Sequence, residues 1–192
     1  MRADARRNRE RLLDAAIALI LEVGGEPSRD SIAARAGVGI GTLYRHFPDQ
    51  QSLLTAVVRY ALDRSIAAGE NSLAEAADSL EALRQYMHAA VDRGIGVVNL
   101  VFPLLDKPHW PDLRARAEAM IHTLIERGQH EGRLRCDVTA ADIVFATVRF
   151  SRPLAVGLST ADERALAHRH IDIYVDGLSR AETRTIDQDA NR

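Results

Sequence analysis

Residues 27–54, PSRDSIAARAGVGIGTLYRHFPDQQSLL, constrain the fold more than any other stretch of the chain. They read as two short helices joined by a tight turn, followed by the start of a third. Ser28 is placed to accept a hydrogen bond from the free N–H groups of a first turn beginning at Arg29 or Asp30. Ile32, Ala33 and Ala36 then make a small apolar face. Gly37 ends that helix, because glycine adopts the left-handed cap conformation without steric cost. Val38 fills the corner, and a second helix over about residues 39–46 turns Leu43 inward. The small Ala33, four residues before Gly37 and ten before Leu43, lets the two helices cross closely. The arrangement is that of a helix-turn-helix.

The second helix of the pair carries the chemistry. Opposite Leu43 it presents Ile40, Gly41, Thr42, Tyr44, Arg45 and His46. A hydroxyl, a phenol, a guanidinium and an imidazole on one short helix suit base edges in a DNA groove and the phosphates beside it. The same spacing also fits an αα-corner of an ordinary helical protein, with Tyr44 and His46 tipped toward solvent, since helix-turn-helix shapes occur outside DNA binding.

GVGIGTLYRHFPDQQSLL resembles the signature of the TetR family of one-component bacterial regulators. The family pattern is an apolar-Ala pair, Ala-Gly-Val, Gly-Thr-Leu-Tyr, a basic or His residue, His-Phe and, after a short polar gap, Leu. The matching positions are Ile32, Ala33, Ala36, Gly37, Val38, Gly41, Thr42, Leu43, Tyr44, His46, Phe47 and Leu53. With the preceding helix the resemblance covers about residues 8–64. Two positions depart from it. The family usually has Ser or Thr where Gly39 stands, so the second helix lacks a side-chain cap. It commonly has Lys where Gln50 stands, which replaces a phosphate ion pair by a hydrogen bond.

The resemblance implies an all-α fold of about nine helices in two parts. Residues 1–67 would form the three-helix DNA-binding domain together with a linking fourth helix, and residues 68–192 a helical effector-binding and dimerisation domain. Thr42, Tyr44 and His46 are then expected on phosphates and base edges, with Arg45 and Ile40 setting sequence preference. Arg29 and Gln50 are expected to hold flanking phosphates at two helix starts. The expected partners are a double-stranded DNA operator, a second copy of the chain and a small, mostly apolar effector; no cofactor and no membrane is expected. One short recognition helix makes few contacts, so a two-fold pair straddling half-sites about 34–36 Å apart, on a palindromic operator, is the natural geometry.

Composition agrees with a helical globular chain: 46% hydrophobic, 27% charged and only 5% aromatic, without alternating β-branched runs. The net charge of −2 is unevenly divided, with ten Arg against eight acids in residues 1–65 and fifteen basic against nineteen acidic residues beyond. Positive charge therefore gathers, weakly, at the DNA-binding end. The single cysteine, Cys136, excludes an intrachain disulfide and a cysteine zinc cluster, which fits the reducing cytoplasm. The apolar runs at 15–21 and 95–105 are too short to span a bilayer.

Along the chain, residues 1–7 read as a basic arm, reaching DNA or simply disordered, and residues 8–23 as a first helix that closes the three-helix core. The linking helix runs from about residue 49 to 67, with Gly69-Glu70-Asn71 as a break and Ser72 opening the next helix. Gly94-Ile95-Gly96 ends that one, GVVNLVFPLL is a short apolar segment, and Pro103, Lys107, Pro108 and Pro111 mark irregular chain. Asp112 begins another helix with Leu113, Ala117, Met120 and Leu124 on one face. Thr139 with Asp142 and Thr160 with Glu163 resemble capping boxes for the last two helices, the first bent or ended by Pro153. Residues 180–192 read as a polar, frayed end.

Each of the last two helices has an apolar stripe, so two copies can form a four-helix bundle with Phe150, Leu166, His170, Ile173 and Tyr174 at the interface. The polar groups within apolar helices, His88, Asn99, His122, Arg149 and Arg152, beside Tyr86, Phe102, Trp110, Met120 and Phe145, suggest a cavity with a few orienting groups. The same residues equally suit core aromatics and snorkelling charges. No phosphate loop, nucleophile elbow or dinucleotide fingerprint is present, which argues against an enzyme. His168 and His170, two apart on a helix, make a poor metal pair, and nothing requires His88 to meet His122. The alternative is a helical small-molecule-sensing or partner-binding dimer with weak or no DNA binding.

Overall fold

Short capping side chains set where most helices of this chain begin. The computed structural model describes residues 2–106, 108–152 and 157–179. Ser28 Oγ accepts from Ser31 N at 3.1 Å and opens α2 (Arg29–Ala36). Asp49 and Ser52 cap each other reciprocally at the start of α4 (Gln50–Glu75). Asp78 opens α5 (Ser79–Asp92), Thr139 with Asp142 opens α8 (Ala140–Phe150), and Ser159 opens α9 (Thr160–Leu178). Together with α1 (Arg2–Val23), α3 (Ile40–His46), α6 (Val97–Val101) and α7 (Pro111–His130), these make nine α-helices among the described residues. A 3-10 turn, Phe102–Leu104, continues α6.

Four helix limits differ from the sequence expectation. Residues 2–7, expected as an arm, are the first turns of α1, where Arg7 pairs with Asp4 and Arg6 with Glu10 at helical spacing. The expected break at Gly69-Glu70-Asn71 is absent, and α4 continues to Glu75. Gly69 serves close approach instead: a Cβ there would lie 2.5 Å from Met120 Sδ and 3.0 Å from Tyr86 Cδ2. Ser72, expected to open the next helix, is buried inside α4 and donates back to Ala68 O at 2.9 Å. The cap of α9 is Ser159 rather than Thr160, since Asp162 N donates to Ser159 Oγ at 3.1 Å. Lys107, Pro153 and residues 180–192 lie outside the described residues.

Two apolar clusters fill the molecule. In the first, Leu12, Leu13, Ile17 and Ile20 of α1 pack with Ile32 and Ala33 of α2, Leu43 of α3, Phe47, and Leu54, Val57 and Val58 of α4; Val97 and Val101 of α6 complete it. The second joins Leu83 and Met87 of α5, Met120, Ile121 and Leu124 of α7, Ile143 of α8 and Ile171 and Val175 of α9. Leu62 of α4 and Val98 of α6 pack against both, so these two helices connect the halves.

At the start of α6 the backbones of two elements nearly touch. A Cβ on Gly96 would stand 1.9 Å from the carbonyl oxygen of Ser151, a backbone atom with no rotamer to escape into. Gly96→Ala is therefore expected to lower stability by about 1–3 kcal/mol, the cost of overpacking. Urea denaturation would read this as a lower midpoint at an unchanged slope; an unaltered midpoint would refute the close approach.

The start of α5 is tied to the end of α7 by Glu131. Its carboxylate accepts from Ser79 Oγ at 2.6 Å, Ser79 N at 2.9 Å and Arg127 Nε at 2.7 Å. The two Ser79 bonds, with Arg127 beside them, hold the carboxyl at about 2, below its ordinary 4.5. A depressed carboxylate contributes stability that is complete above its unfolded value and is lost as pH falls through the folded one. The contribution should thus fade between about pH 4.5 and 2. Glu131→Gln is expected to flatten the fall of the thermal midpoint across that window; an unchanged acid limb would show that Glu131 does not bridge these helices.

Candidate nucleic-acid interface and effector cavity

Gly37, with φ of 63°, terminates α2, and its neighbour Gly39 starts α3 with no side-chain cap. That short connection turns Leu43 fully inward, and Phe47, just past α3, is 2% exposed. The opposite side of α3 faces outward: Tyr44 and Arg45 are exposed, Ile40 less so, and Thr42 and His46 are half-buried. Five of the seven expected DNA-facing residues therefore stand on one helix. Arg45 lies back along it, donating from Nε to Gly41 O at 3.2 Å and from a terminal nitrogen to Thr42 Oγ1 at 3.1 Å.

The other two have partners within the domain. The Arg29 guanidinium donates to Phe47 O at 2.9 Å and Pro48 O at 3.3 Å, and stacks 4.8 Å from the centroid of the Tyr44 ring. It thus satisfies carbonyls at the end of α3 and steadies the tyrosine. Gln50 Nε2 donates to Glu26 Oε2 at 2.9 Å. Two further arginines bind the motif to α1: Arg11 reaches Gly37 O at 3.3 Å, and Arg35 forms a two-pronged bridge to Glu22 at 2.6 and 3.1 Å.

A cavity of about 540 Å³ opens between α4, α7 and α8. Of the six residues proposed from the sequence for a ligand, Phe102 and Trp110 line it and the other four do not. His88 turns toward α9, where its Nδ1 meets His168 Nδ1 and its Nε2 lies 2.9 Å from Asp172 Oδ1. His168 Nε2 in turn is 3.0 Å from Asp92 Oδ1, so the partner of His88 is His168 and not His122. The Asp172 carboxyl is held below its usual range by the His88 and Arg84 hydrogen bonds. Asn99 donates to Val148 O at 2.8 Å, His122 pairs with Glu126 on the outer side of α7, and Arg149 is exposed on α8. Tyr86 of α5 and Met120 of α7, also named from the sequence, line it too, with Leu62, Ser65 and Ile66 of α4, Ile121 of α7 and Thr147 of α8. Ser65 and Thr147 were legible in principle: each follows a buried apolar residue, Ala61 and Ile143, by one helical turn.

On α9 the buried stripe is Ala167, Ile171, Val175 and Leu178. The expected interface residues sit on its flank: Leu166 and Tyr174 are half-buried, and His170 and Ile173 are exposed. Phe150 of α8 meets two of them, its ring 6.2 Å from His170 and 5.4 Å from Tyr174, whose hydroxyl donates to Asp142 O at 2.8 Å. Val144 and Phe145 are exposed on α8 itself. Cys136 is exposed, but Arg135 beside it pairs with Asp137 and Arg133 approaches Asp78, so its setting is not electropositive. Among the described residues no group of three or more His, Cys, Asp or Glu is placed to hold a metal ion, and no helix is long and apolar enough to cross a membrane.

Residues 12–57 match the family described as bacterial regulatory proteins, tetR family, and residues 78–180 the C-terminal domain described as transcriptional regulator SbtR-like. A TetR transcription regulatory protein from Mycobacterium vanbaalenii is 32% identical and superposes with a TM-score of 0.66, covering 93% of this chain and 98% of that one. A TetR transcriptional regulator from Streptomyces coelicolor is 29% identical with a TM-score of 0.68, covering 91% and 99%. HTH-type transcriptional regulators of Staphylococcus aureus are 45% identical over 64 residues, 33% of this chain and 35% of theirs. The chain thus spans about a third of the length of these curated relatives. With both of its halves matched, and solved relatives covered almost end to end, the chain belongs to the TetR family of bacterial regulatory proteins.

Proposed function

We propose that this chain is a cytoplasmic, homodimeric DNA-binding transcriptional regulator: a repressor released from a palindromic operator by a small, mostly apolar ligand. One observation carries the reading. The single helix α4 holds Leu54, Val57 and Val58 in the core that includes Leu43 of α3, and Leu62, Ser65 and Ile66 in the cavity wall. A ligand that displaces the wall displaces a helix whose other end packs in the core that also seats α3. It must bind the two arrangements unequally, or nothing shifts. Arg116 of α7, bridged to Asp63 at 2.6 Å and Glu70 at 2.8 Å, and Asp112, bridged to Arg59 at 2.5 Å, couple α7 to the same helix.

In this reading Thr42, Tyr44 and His46 meet phosphates and base edges, while Arg45 and Ile40 set sequence preference. Arg29 acts on the phosphates through Tyr44 unless it exchanges its carbonyl partners for one, and Gln50 offers a hydrogen bond. A DNA-binding unit of residues 1–67 and an effector unit of residues 68–192 meet inside α4. The exposed apolar flank of α8 and α9, with Phe150, Leu166, His170, Ile173 and Tyr174, pairs two copies so that their α3 helices address successive half-sites.

Selection of bound sequences from a random DNA pool tests this, with the full chain at moderate salt. An enriched palindrome supports the regulator and supplies the operator. Its absence, from a folded dimer, favours a helical sensor with weak DNA binding, a reading supported by the intramolecular partners of Arg29 and Gln50. Salt separates the two, because real phosphate contacts make affinity fall steeply as salt rises.

A further inference from the structure

The seam between α5 and α9 has an apolar side and a polar one. Leu83 and Met87 of α5 share the second cluster with Ile171 and Val175 of α9. Beside them run two rows at four-residue spacing: Arg84, His88 and Asp92 on α5, and Arg164, His168, Asp172 and Asp176 on α9. The rows cross-link. His88 Nε2 lies 2.9 Å from Asp172 Oδ1, His168 Nε2 lies 3.0 Å from Asp92 Oδ1, and the two Nδ1 atoms are hydrogen-bonded to one another. The rings are inclined by only 25° with centroids 4.6 Å apart, and their side chains are 25% and 27% exposed.

These contacts fix the proton count. An ionised carboxylate only accepts, so each Nε2 carries a proton for its aspartate. A neutral imidazole protonated at Nε2 has a bare lone pair at Nδ1. Two such rings would set lone pair against lone pair, which is no hydrogen bond. A third ring proton therefore lies between the Nδ1 atoms, and the pair carries one positive charge. The neighbouring charges suit it. Arg84 bridges Asp172 at 2.7 Å and Asp176 at 2.6 Å, with Glu81 beside it at 3.8 Å, and Arg164 approaches Asp92 at 3.9 Å. Four carboxylates thus stand against two guanidiniums around the rings, and the proton offsets part of that excess. Farther out, Arg152 of α8 and Glu163 line a crevice with Arg164, and Arg93 turns back to Ala89 O at 3.2 Å.

We propose that His88 and His168 form a proton-operated clasp between α5 and α9: the proton held between their Nδ1 atoms joins the helices, and its departure as pH rises loosens the seam. Histidine is the side chain suited to a switch near neutrality. The two rings titrate as one unit. A further proton at falling pH also breaks the clasp, because it sets two imidazolium rings against each other. Tyr86 of α5 lines the cavity and Ile173 of α9 is exposed on the flank, so the clasp joins the cavity helix to the flank helix. It depends neither on the DNA reading nor on a ligand.

Thermal melts of the full chain across the neutral range, without DNA or ligand, test this. The separated histidines of the unfolded chain take up two protons as pH falls through about 6.5, while the folded pair keeps one. Below that value the unfolded chain binds more protons and stability rises with pH; above it the folded chain binds more and stability falls. The midpoint of the parent minus that of His88→Gln, or of His168→Gln, should therefore peak near about pH 6.5 and decline by about 3–5 °C per pH unit on each side. A difference that stays constant with pH would show rings that only pack, and would overturn the proposal. Side-chain 15N spectra of the histidine-labelled parent at about pH 7 decide the matter even where a variant fails to fold. They should show both Nε2 atoms protonated and one proton between the two Nδ1 atoms; two bare Nδ1 atoms would overturn the clasp. Zinc or a chelator that moves the midpoint of the parent and of neither variant would place a metal ion between the rings, and overturn it equally. Failure of DNA selection would instead strike the regulator reading and leave this result standing.

Discussion

Phe47→Ala is expected to remove about 3–5 kcal/mol from the folded state and to abolish DNA binding with it. Phe47 is 2% exposed and is among the largest fully buried side chains of the chain. Its N–H donates to Leu43 O at 2.8 Å to close the last turn of α3, and its carbonyl receives Arg29. Arg9 of α1 covers its ring at 5.4 Å. Removing the ring opens a void in the core that Phe47 shares with residues of α1, α3 and α4. Since whole domains are stable by only about 5–15 kcal/mol, a loss of this size takes a large share of the total. Urea denaturation followed by helical signal should show a lower midpoint, and the variant should bind no operator. A midpoint equal to that of the parent would mean that Phe47 is not the keystone of this core.

Tyr44→Ala, three positions earlier and on the other face of the same helix, should do the reverse. Tyr44 is 50% exposed, so its loss should leave stability within about 0.5 kcal/mol. A hydrogen bond to a charged phosphate contributes roughly 1.5–3 kcal/mol, and a dimer makes it twice, so operator affinity should fall by more than about a hundredfold. The ring also seats the Arg29 guanidinium at 4.8 Å, and that positioning goes with it. Fluorescence anisotropy on the selected operator, beside a thermal melt, measures both quantities. Intact affinity would remove Tyr44 from the interface. Lost affinity with a lowered melting point would make it a structural residue instead.

Most of the helix-turn-helix was legible because its signals are local. Ser28 caps a helix three residues away, Gly37 needs its own φ, and Leu43 turns inward by helical spacing from Gly39. Elements whose limits depend on distant packing were read less well. Gly69 resembles a helix breaker, yet the space it leaves is taken by Met120 and Tyr86 from two other helices, and their packing outweighs the intrinsic cost of glycine in a helix. In α9 the spacing suggested a stripe of Leu166, His170, Ile173, Tyr174 and Leu178, while the structure buries Ala167, Ile171, Val175 and Leu178, so Leu178 alone is shared. The buried set lies to one side of the expected one and packs in the cluster that holds Leu83 and Met87 of α5.

The cavity was the least legible part. His88 suggested a ligand group because it interrupts an apolar helix, but its partners are His168, Asp172 and, through His168, Asp92. No periodicity within α5 announces a partner eighty residues away. Ser65 and Thr147 gave a signal of position only, one helical turn after Ala61 and Ile143, and none of chemistry, being small hydroxyls on apolar helices.

By itself, then, the sequence determined the all-α class, the helix-turn-helix with Leu43 inward and Tyr44 outward, and the family, because caps, glycine φ angles and helical spacing act within a few residues. Only the tertiary structure decided that α4 runs unbroken from the DNA-binding core to the cavity wall, and that Ser65, Tyr86 and Thr147 share one polar place. A cavity is the space that several helices together leave unfilled, and its polar groups come from segments some twenty to sixty residues apart. No local pattern encodes that space; it follows from how closely Gly69 and Gly96 let their neighbours approach.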